Sequence, residues 1–443
     1  MGPSNDRGAA QEKPRYSWRG AIRGNVLMMG LVSLFTDFSS EMIFPLLPAF
    51  IAGLIRMAHP DYSLERVSAA AAIYVGVMAG LAEATASLLK IFSGRISDRL
   101  RKRKALLAVG YGISTIARPL MALAGGAWHI VALRVADRVG KGIRTSPRDA
   151  LISDAVGPDA RGLAFSFHRV MDHTGAILGP LVGVAVLYLI LGQMLWKGTT
   201  GAANPEQMRG LRWLFGIALI PGLLAMLTIF GGVREIAPTS AEPGQGSTGS
   251  GTTSRLPRRF YAFVGIIFLF SLGNSSDLFL VLYGQRLFGL GLLQMVGLWV
   301  ALHISKIVFS FPGGILSDLA GRRPVMIAGW AMYALVYLGF AFVTQAWQFW
   351  VLIFAYGFYH GMTEGVEKAV VADFIPSERR GTAYGVYHAA DGIAKLPASL
   401  LFGLFWAAIG PAVAFGIGAA LAGVAAVLLV VLLSATRRPA KRA

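Results

Sequence analysis

The feature that most limits what this chain can fold into is a succession of long apolar runs, repeated from one end to the other and divided by short polar breaks. An apolar run of roughly 20 residues crosses the hydrocarbon core of a bilayer as a helix. A helix satisfies its own backbone polar groups, which lipid cannot do. Twelve runs are read, at approximately 25–54, 69–93, 105–124, 127–146, 163–191, 211–231, 259–283, 291–313, 325–343, 347–371, 383–407 and 411–433. They are numbered helix 1 to helix 12. Parts of them, such as 26–35, 105–111 and 412–433, carry no charge. Only 14% of the residues are charged, against about one in four in soluble domains. The reading is an all-α membrane protein of twelve transmembrane helices whose main partner is the lipid bilayer.

The formal net charge of +18 invites a nucleic-acid reading. Its distribution argues against one. Basic clusters at Lys13/Arg15/Arg19/Arg23, Arg95–Lys104, Arg138–Arg148, Arg255–Arg259, Arg322–Arg323, Arg379–Arg380 and Arg437–Arg442 fall on one side of the predicted membrane. That is the positive-inside pattern. It places both termini in the cytoplasm and calls for no polyanionic partner. The expected location is the cell membrane, plasma or bacterial inner. Residues 1–18 lack an apolar core with a cleavage site, so helix 1 is expected to be retained. With no cysteine, disulfides and thiolate metal sites are excluded. Trp18, Trp196, Trp213, Trp347 and Trp350 lie near predicted helix ends, where interfacial belts place tryptophan.

One long polar interior segment, 232–258, is rich in Gly, Ser, Thr and Pro and reads as a flexible cytoplasmic linker. It divides a tail (1–24) and a six-helix half (25–231) from a second six-helix half (259–433) and a basic tail (434–443). The halves repeat each other. Gly94-Arg-Ile-Ser-Asp98 matches Gly314-Ile-Leu-Ser-Asp318, and Ser39-Ser40-Glu41 matches Ser275-Ser276-Asp277. Asp154 and Arg161-Gly162 match Asp373 and Arg380-Gly381, and the same register sets Asp172 opposite Asp391. Several matches in one order indicate duplication into two pseudo-symmetric bundles, a known transporter architecture.

These residues resemble the major facilitator superfamily over nearly the whole chain. Its loop between helices 2 and 3 reads G-x-L-x-D-R-x-G-R-K. Here that loop is Gly94-Arg-Ile-Ser-Asp98-Arg99-Leu-Arg101-Lys102-Arg103, with Arg101 in place of the second glycine. The second copy keeps Gly321, Arg322 and Arg323 but has Leu319 for the first basic residue. The resemblance implies a gating role for Gly94, Asp98, Arg99, Gly314, Asp318, Arg322 and Arg323. A carboxylate there can meet a helix N-terminus or an arginine and so hold one closed state. Helix 4 is similar to the family's R-x-x-Q-G pattern with Arg134, Asp137 and Arg138, a departure that weighs against a drug exporter. Helix 5 resembles the proton-antiporter motif through Gly175, Gly179, Pro180 and Gly183. Those glycines suit close helix packing, and the partial match leans toward export.

Ionisable residues at membrane depth are costly and are functional candidates for that reason. Glu41, Asp172, Asp277 and Asp391 are the proton-coupling candidates. A carboxylate in a narrow cavity can take a proton from one side and release it to the other. Lys90, Arg118, Arg134 and Lys306 are the candidates to meet an anionic group of a substrate. Helical spacing pairs His168 with Asp172, Glu364 with Lys368, and Asp391 with Lys395. Lys141 and Glu367, near predicted helix ends, read as structural or interfacial.

No nucleotide-binding P-loop, no H-E-x-x-H and no metal-ligand spacing among the seven histidines is present. No cofactor, no metal and no enzymatic activity are therefore expected. The expected function is secondary active, proton-coupled transport of a small anionic or zwitterionic solute by alternating access, by a monomer. The alternatives are a multidrug efflux antiporter for lipophilic cations and a non-transporting receptor or scaffold.

Overall fold

Every regular element described in the computed structural model is helical. The structure describes residues 18–192, 203–236, 256–275, 277–289 and 292–434. Most of the predicted tails and linker, together with Trp196 and Ser276, lie outside the described residues. After a short turn at Trp18–Ala21, the helices assemble into twelve rods. In the first half these are helix 1 (Asn25–Ala58, broken after Glu41), helix 2 (Leu64–Leu100), helix 3 (Arg103–Leu123), helix 4 (Ala127–Asp154), helix 5 (Arg161–Leu191) and helix 6 (Pro205–Gly232). In the second half they are helix 7 (Arg258–Gly273 and Leu278–Phe288), helix 8 (Leu292–Ala320), helix 9 (Arg322–Ala341), helix 10 (Ala346–Phe374), helix 11 (Arg380–Ala408) and helix 12 (Pro411–Ser434). Eight of the twelve are long and apolar enough to cross a membrane. Their outer faces carry large apolar side chains that no protein covers, such as Leu123, Leu189 and Phe342. Exposed apolar surface on this scale fits a lipid-facing belt.

Local chemistry explains the ends and breaks. Ser63 caps helix 2 by accepting from the Arg66 N–H at 3.3 Å. Asn204 and Gln207 cap helix 6 reciprocally at 2.8 and 3.0 Å, with Pro205 in the first helical position. Helix 1 breaks where Pro45 and Pro48 interrupt the backbone ladder, through a 3₁₀ turn at Phe44–Leu46. Helix 7, read from sequence as continuous over 259–283, is also broken, after Gly273. The Tyr333 hydroxyl donates to the freed Gly273 carbonyl at 2.8 Å, and Asn274 donates to the Tyr359 hydroxyl at 3.1 Å. Protein groups replace the missing helical bonds, as membrane depth demands.

The packing repeats with the duplication. In the first half helix 1 packs on helices 5 and 6, helix 2 on helix 4, and helix 3 on helices 4 and 6. In the second half helix 7 packs on helices 11 and 12, helix 8 on helix 10, and helix 9 on helices 10 and 12. Between the halves, helix 2 lies along helix 11 and helix 8 along helix 5. Helix 4 also meets helix 11, and helix 10 meets helix 5. The two halves thus enclose an interior bounded by helices 1, 2, 4, 5, 7, 8, 10 and 11. The second half is held by an aromatic core in which Phe270 stacks on Trp330 at 4.3 Å and Tyr333 on Tyr337 at 4.2 Å.

Candidate functional site

The halves close on each other at the end carrying the basic loops. Asp98, at the end of helix 2, accepts from the backbone N–H groups of Gly381 (2.9 Å) and Thr382 (2.7 Å) at the start of helix 11. The Thr382 hydroxyl adds a bond of 2.7 Å. Asp318, at the end of helix 8, accepts from Gly162 (2.9 Å) and Leu163 (2.8 Å) at the start of helix 5. Each carboxylate therefore caps a helix N-terminus of the opposite half, where unsatisfied N–H groups and the helix dipole favour negative charge. The approach depends on glycine. A Cβ at Gly314 would come within 2.7 Å of the Ser166 side chain, and one at Gly381 within 2.7 Å of the Gly94 carbonyl oxygen.

A second tier of ion pairs repeats the pattern. Asp154 receives Arg103 of its own half and Arg380 of the other. Asp373 receives Arg322 of its own half and Arg161 of the other, the latter at 3.1 Å. Gly94, Asp98, Gly314, Asp318 and Arg322 all stand at this closed end. Arg99 lies in the last turn of helix 2 and Arg323 in the first turn of helix 9, beside the same two connections.

Above this closure lies a cavity of about 350 Å³ lined from both halves. Its basic side chains are Lys90, Lys141, Arg144, Arg148, Arg169, Lys368 and Lys395, and its acidic ones are Asp37, Glu83, Asp172, Glu364, Glu367 and Asp391. Polar bridges cross between the halves here. Glu364 of helix 10 meets His173 of helix 5 at 3.2 Å and, on its own helix, His360 at 3.0 Å. Asp149 of helix 4 meets Lys368 of helix 10 at 3.0 Å and His388 of helix 11 at 2.7 Å. Among the described residues no group of histidines and carboxylates is placed to hold a metal ion.

The coupling and substrate candidates divide between cavity and packing. Asp172 and Asp391 line the cavity at matching places. Asp172 takes bonds from Ser33 and from Arg169 (2.8 Å), with His168 at 3.6 Å. Asp391 takes them from Ser271 (2.9 Å) and Lys395 (2.7 Å). Glu41 and Asp277 do not line the cavity. Asp277 is held by Lys306 at 3.0 Å and by the Tyr356 hydroxyl at 2.9 Å, so the predicted cation and carboxylate neutralise each other. Arg118 and Arg134 both close on Asp137 at 3.1 Å, and Arg134 lies 4.5 Å over the Phe44 ring. Lys90 alone of the four basic candidates reaches the cavity. The predicted helical pair Glu364–Lys368 gives way to bonds across the interface, because both side chains find closer partners on other helices.

The sequence reading grouped Arg138–Arg148 as a basic cluster at the cytoplasmic side and ended helix 4 at 146. The helix runs on to Asp154, and Arg144, Arg148 and Asp149 are buried within it. The signal was present as charged residues recurring at three- and four-residue steps, Asp137, Lys141, Arg144 and Arg148, which is helical periodicity. Lys141, read as structural or interfacial, lines the cavity and is exposed. Helix 5 packs on helix 1 through the predicted glycines: a Cβ at Gly175 would meet the Leu34 carbonyl oxygen at 2.5 Å, and one at Gly179 the Glu41 Cβ at 2.7 Å. Gly183 faces Met42 at a looser 3.4 Å, and Pro180 lies within the same helix.

Two helical bundles related by an internal repeat, with a charged interior between them and a lipid-facing apolar exterior, define a polytopic membrane protein of the carrier type. A sequence profile described as Major Facilitator Superfamily matches residues 29–305 and again 294–443, and the chain belongs to that superfamily of transporters. It is 30% identical over 411 residues to an uncharacterized MFS-type transporter of Methanocaldococcus jannaschii, covering 91% of this chain and 94% of that one. A shorter segment of 113 residues is 34% identical to the multidrug resistance protein MdtH of Cronobacter sakazakii, covering 26% of this chain and 28% of that protein. The fold superposes on the proton:xylose symporter XylE bound to 6-bromo-6-deoxy-D-glucose with a TM-score of 0.70 and 20% identity, over 93% of this chain and 96% of that one.

Proposed function

We propose that this transporter is a secondary active, proton-coupled carrier of a small organic solute, anionic or zwitterionic, working by alternating access as a monomer. One observation carries the reading: a cavity between the halves whose walls bring basic and acidic side chains together from both. A lipophilic cation would find little apolar wall there. Alternating access is supported by the form of the closed end. Its contacts are carboxylate-to-backbone and ion-pair contacts between halves, which can part and re-form without unfolding either bundle. Asp98 and Asp318 with their arginines serve as the gate. The basic clusters orient that end toward the cytoplasm of a cell membrane. Asp172 and Asp391 are the coupling carboxylates that reach the cavity, and Glu364 joins them as the one bridging helices 10 and 5. The helix 5 glycine pattern favours export.

The test is flux in proteoliposomes under an imposed pH gradient. Solute should accumulate against its gradient and lose that accumulation when an uncoupler is added. Asp172→Asn and Asp391→Asn should abolish accumulation yet leave solute exchange at zero gradient. Flux of equal size with and without the pH gradient would contradict proton coupling. The MdtH-like segment gives a second reading, export of a lipophilic cation. Gradient-driven ethidium movement that survives Lys90→Gln would favour it.

A further inference from the structure

The charged cavity is not uniform. On the wall built from the second half, the carboxylates are already held: Asp391 by Ser271 and Lys395, Glu364 by two histidines, and Glu367 by Trp330 (3.0 Å) and Tyr387 (2.8 Å). On the wall built from the first half Asp172, Arg169, Arg148 and Arg144 are held as well, but four further groups are not. Asp37 of helix 1, Lys90 of helix 2 and Lys141 of helix 4 line the cavity, and among the described residues their side chains make no hydrogen bond and no ion pair within 4.0 Å. Glu83 of helix 2 has a single 3.5 Å contact, from Ser87. Glu83, Ser87 and Lys90 follow one another at four and three residues and share a helix face. Lys90 is only 7% exposed. Its opposite charges, Glu83 and Asp391, act on it only from beyond 4.0 Å, and an ammonium buried at membrane depth without a contact partner is costly.

From this wall we infer that the first half holds a dipolar ligand site, taking a molecule that carries both an ammonium group and an oxyanion, carboxylate or phosphate. Lys90 and Lys141 receive the oxyanion, and Asp37 and Glu83 receive the ammonium. The charge balance selects this class. Arg144, on the same wall, is turned onto the Ser114 hydroxyl, the Gly110 carbonyl and the Tyr111 ring, and the four remaining residues sum to zero, two of each sign. A ligand with one charge would satisfy two of them, leave the other two unmet and add net charge to a low-dielectric space. A zwitterion satisfies all four and adds none. This rests on the transporter reading above and narrows its substrate.

The experiment measures ligand-induced thermal shift of the purified full chain, followed by uptake into proteoliposomes. The probes are α-amino acids with small, aliphatic and aromatic side chains, and glycerophosphoethanolamine, a phosphodiester whose single negative charge balances its ammonium. Each is compared with an acid lacking the amine (propionate, diethyl phosphate) and an amine lacking the acid (ethylamine). A zwitterion should stabilise the protein, with both single-charge counterparts at least about tenfold weaker. The stronger of the two zwitterion types identifies the oxyanion. Lys90→Gln and Lys141→Gln should lower zwitterion affinity to that of the amine alone. Asp37→Asn and Glu83→Gln should lower it to that of the acid alone. No shift from any zwitterion, or a single-charge acid binding as tightly as its zwitterion, overturns the dipolar site. If such an acid is nevertheless taken up, the transporter reading survives without it. If a zwitterion binds with these mutational effects but is never taken up, the site stands and the transport reading fails.

Discussion

Arg101 is the only non-glycine residue with positive φ among those described, at 51°. It closes helix 2 in the left-handed conformation, where its counterpart in the second half is Gly321 at φ 96°. A side chain in that region costs roughly 1–2 kcal/mol. Arg101→Gly should therefore raise the thermal midpoint of the purified protein by a few degrees, and an unchanged or lower midpoint would contradict the strain. Asp137 poses the opposite case. It neutralises Arg118 and Arg134 inside the first bundle, and removing one member of a buried ion set costs about 3–5 kcal/mol. Asp137→Asn should abolish the monodisperse peak in detergent chromatography, whereas Asp37→Asn should keep it. The contrast marks what was legible at this scale. The depth of every charge followed from its place in an apolar run. The direction it faces did not, so Arg118 and Lys306 were legible as membrane cations but not as the partners of Asp137 and Asp277, whereas the three-residue spacing of Arg134 and Asp137 already allowed that pair.

At the scale of elements, helix number followed from apolar length, and the errors fell where charge interrupted it. Helix 4 was cut short because its last turns carry Arg144, Arg148 and Asp149, which read as loop to any measure of hydropathy. Those turns are helical because each charge finds a partner, Asp149 with Arg148 at 2.9 Å and with Lys368 and His388 across the interface. The break in helix 7 did carry a signal, the polar run Gly273-Asn274-Ser275-Ser276-Asp277, but it is flanked by apolar sequence on both sides, and the tyrosines that satisfy it come from helices 9 and 10. The close seam of helices 1 and 5 was foreshadowed by glycine spacing. Gly179→Val would drive a branched side chain into the Glu41 Cβ and the Phe38 carbonyl oxygen, at 2.7 and 2.9 Å from its first carbon. It should destabilise the protein by about 1–3 kcal/mol. Gly183→Ala, with 3.4 Å available, should be tolerated. Equal thermal midpoints for the two variants would show that the seam is not packed as described.

At the scale of the molecule, duplication carries the argument from architecture to motion. Each half caps the other's helix 5 or helix 11 with one aspartate and ties it with one arginine pair. The same halves also share one cavity. The structure holds the halves closed at the basic-loop end. Asp98→Asn weakens one cap by about 1–2 kcal/mol, a factor of roughly 5–30 in the balance of states. It should reduce transport more than it reduces expression, and loss of both in equal measure would make the loop a purely structural feature.

The central claim, that the cavity is opened to each side in turn, has a direct measurement because the chain contains no cysteine. Asn274, half-buried on the cavity wall, can be made the sole thiol as Asn274→Cys. A membrane-impermeant maleimide should label it from the face opposite the basic loops in this background. It should label it from the basic-loop face once Asp98→Asn and Asp318→Asn are combined. Labelling from one face alone in both backgrounds would contradict alternating access.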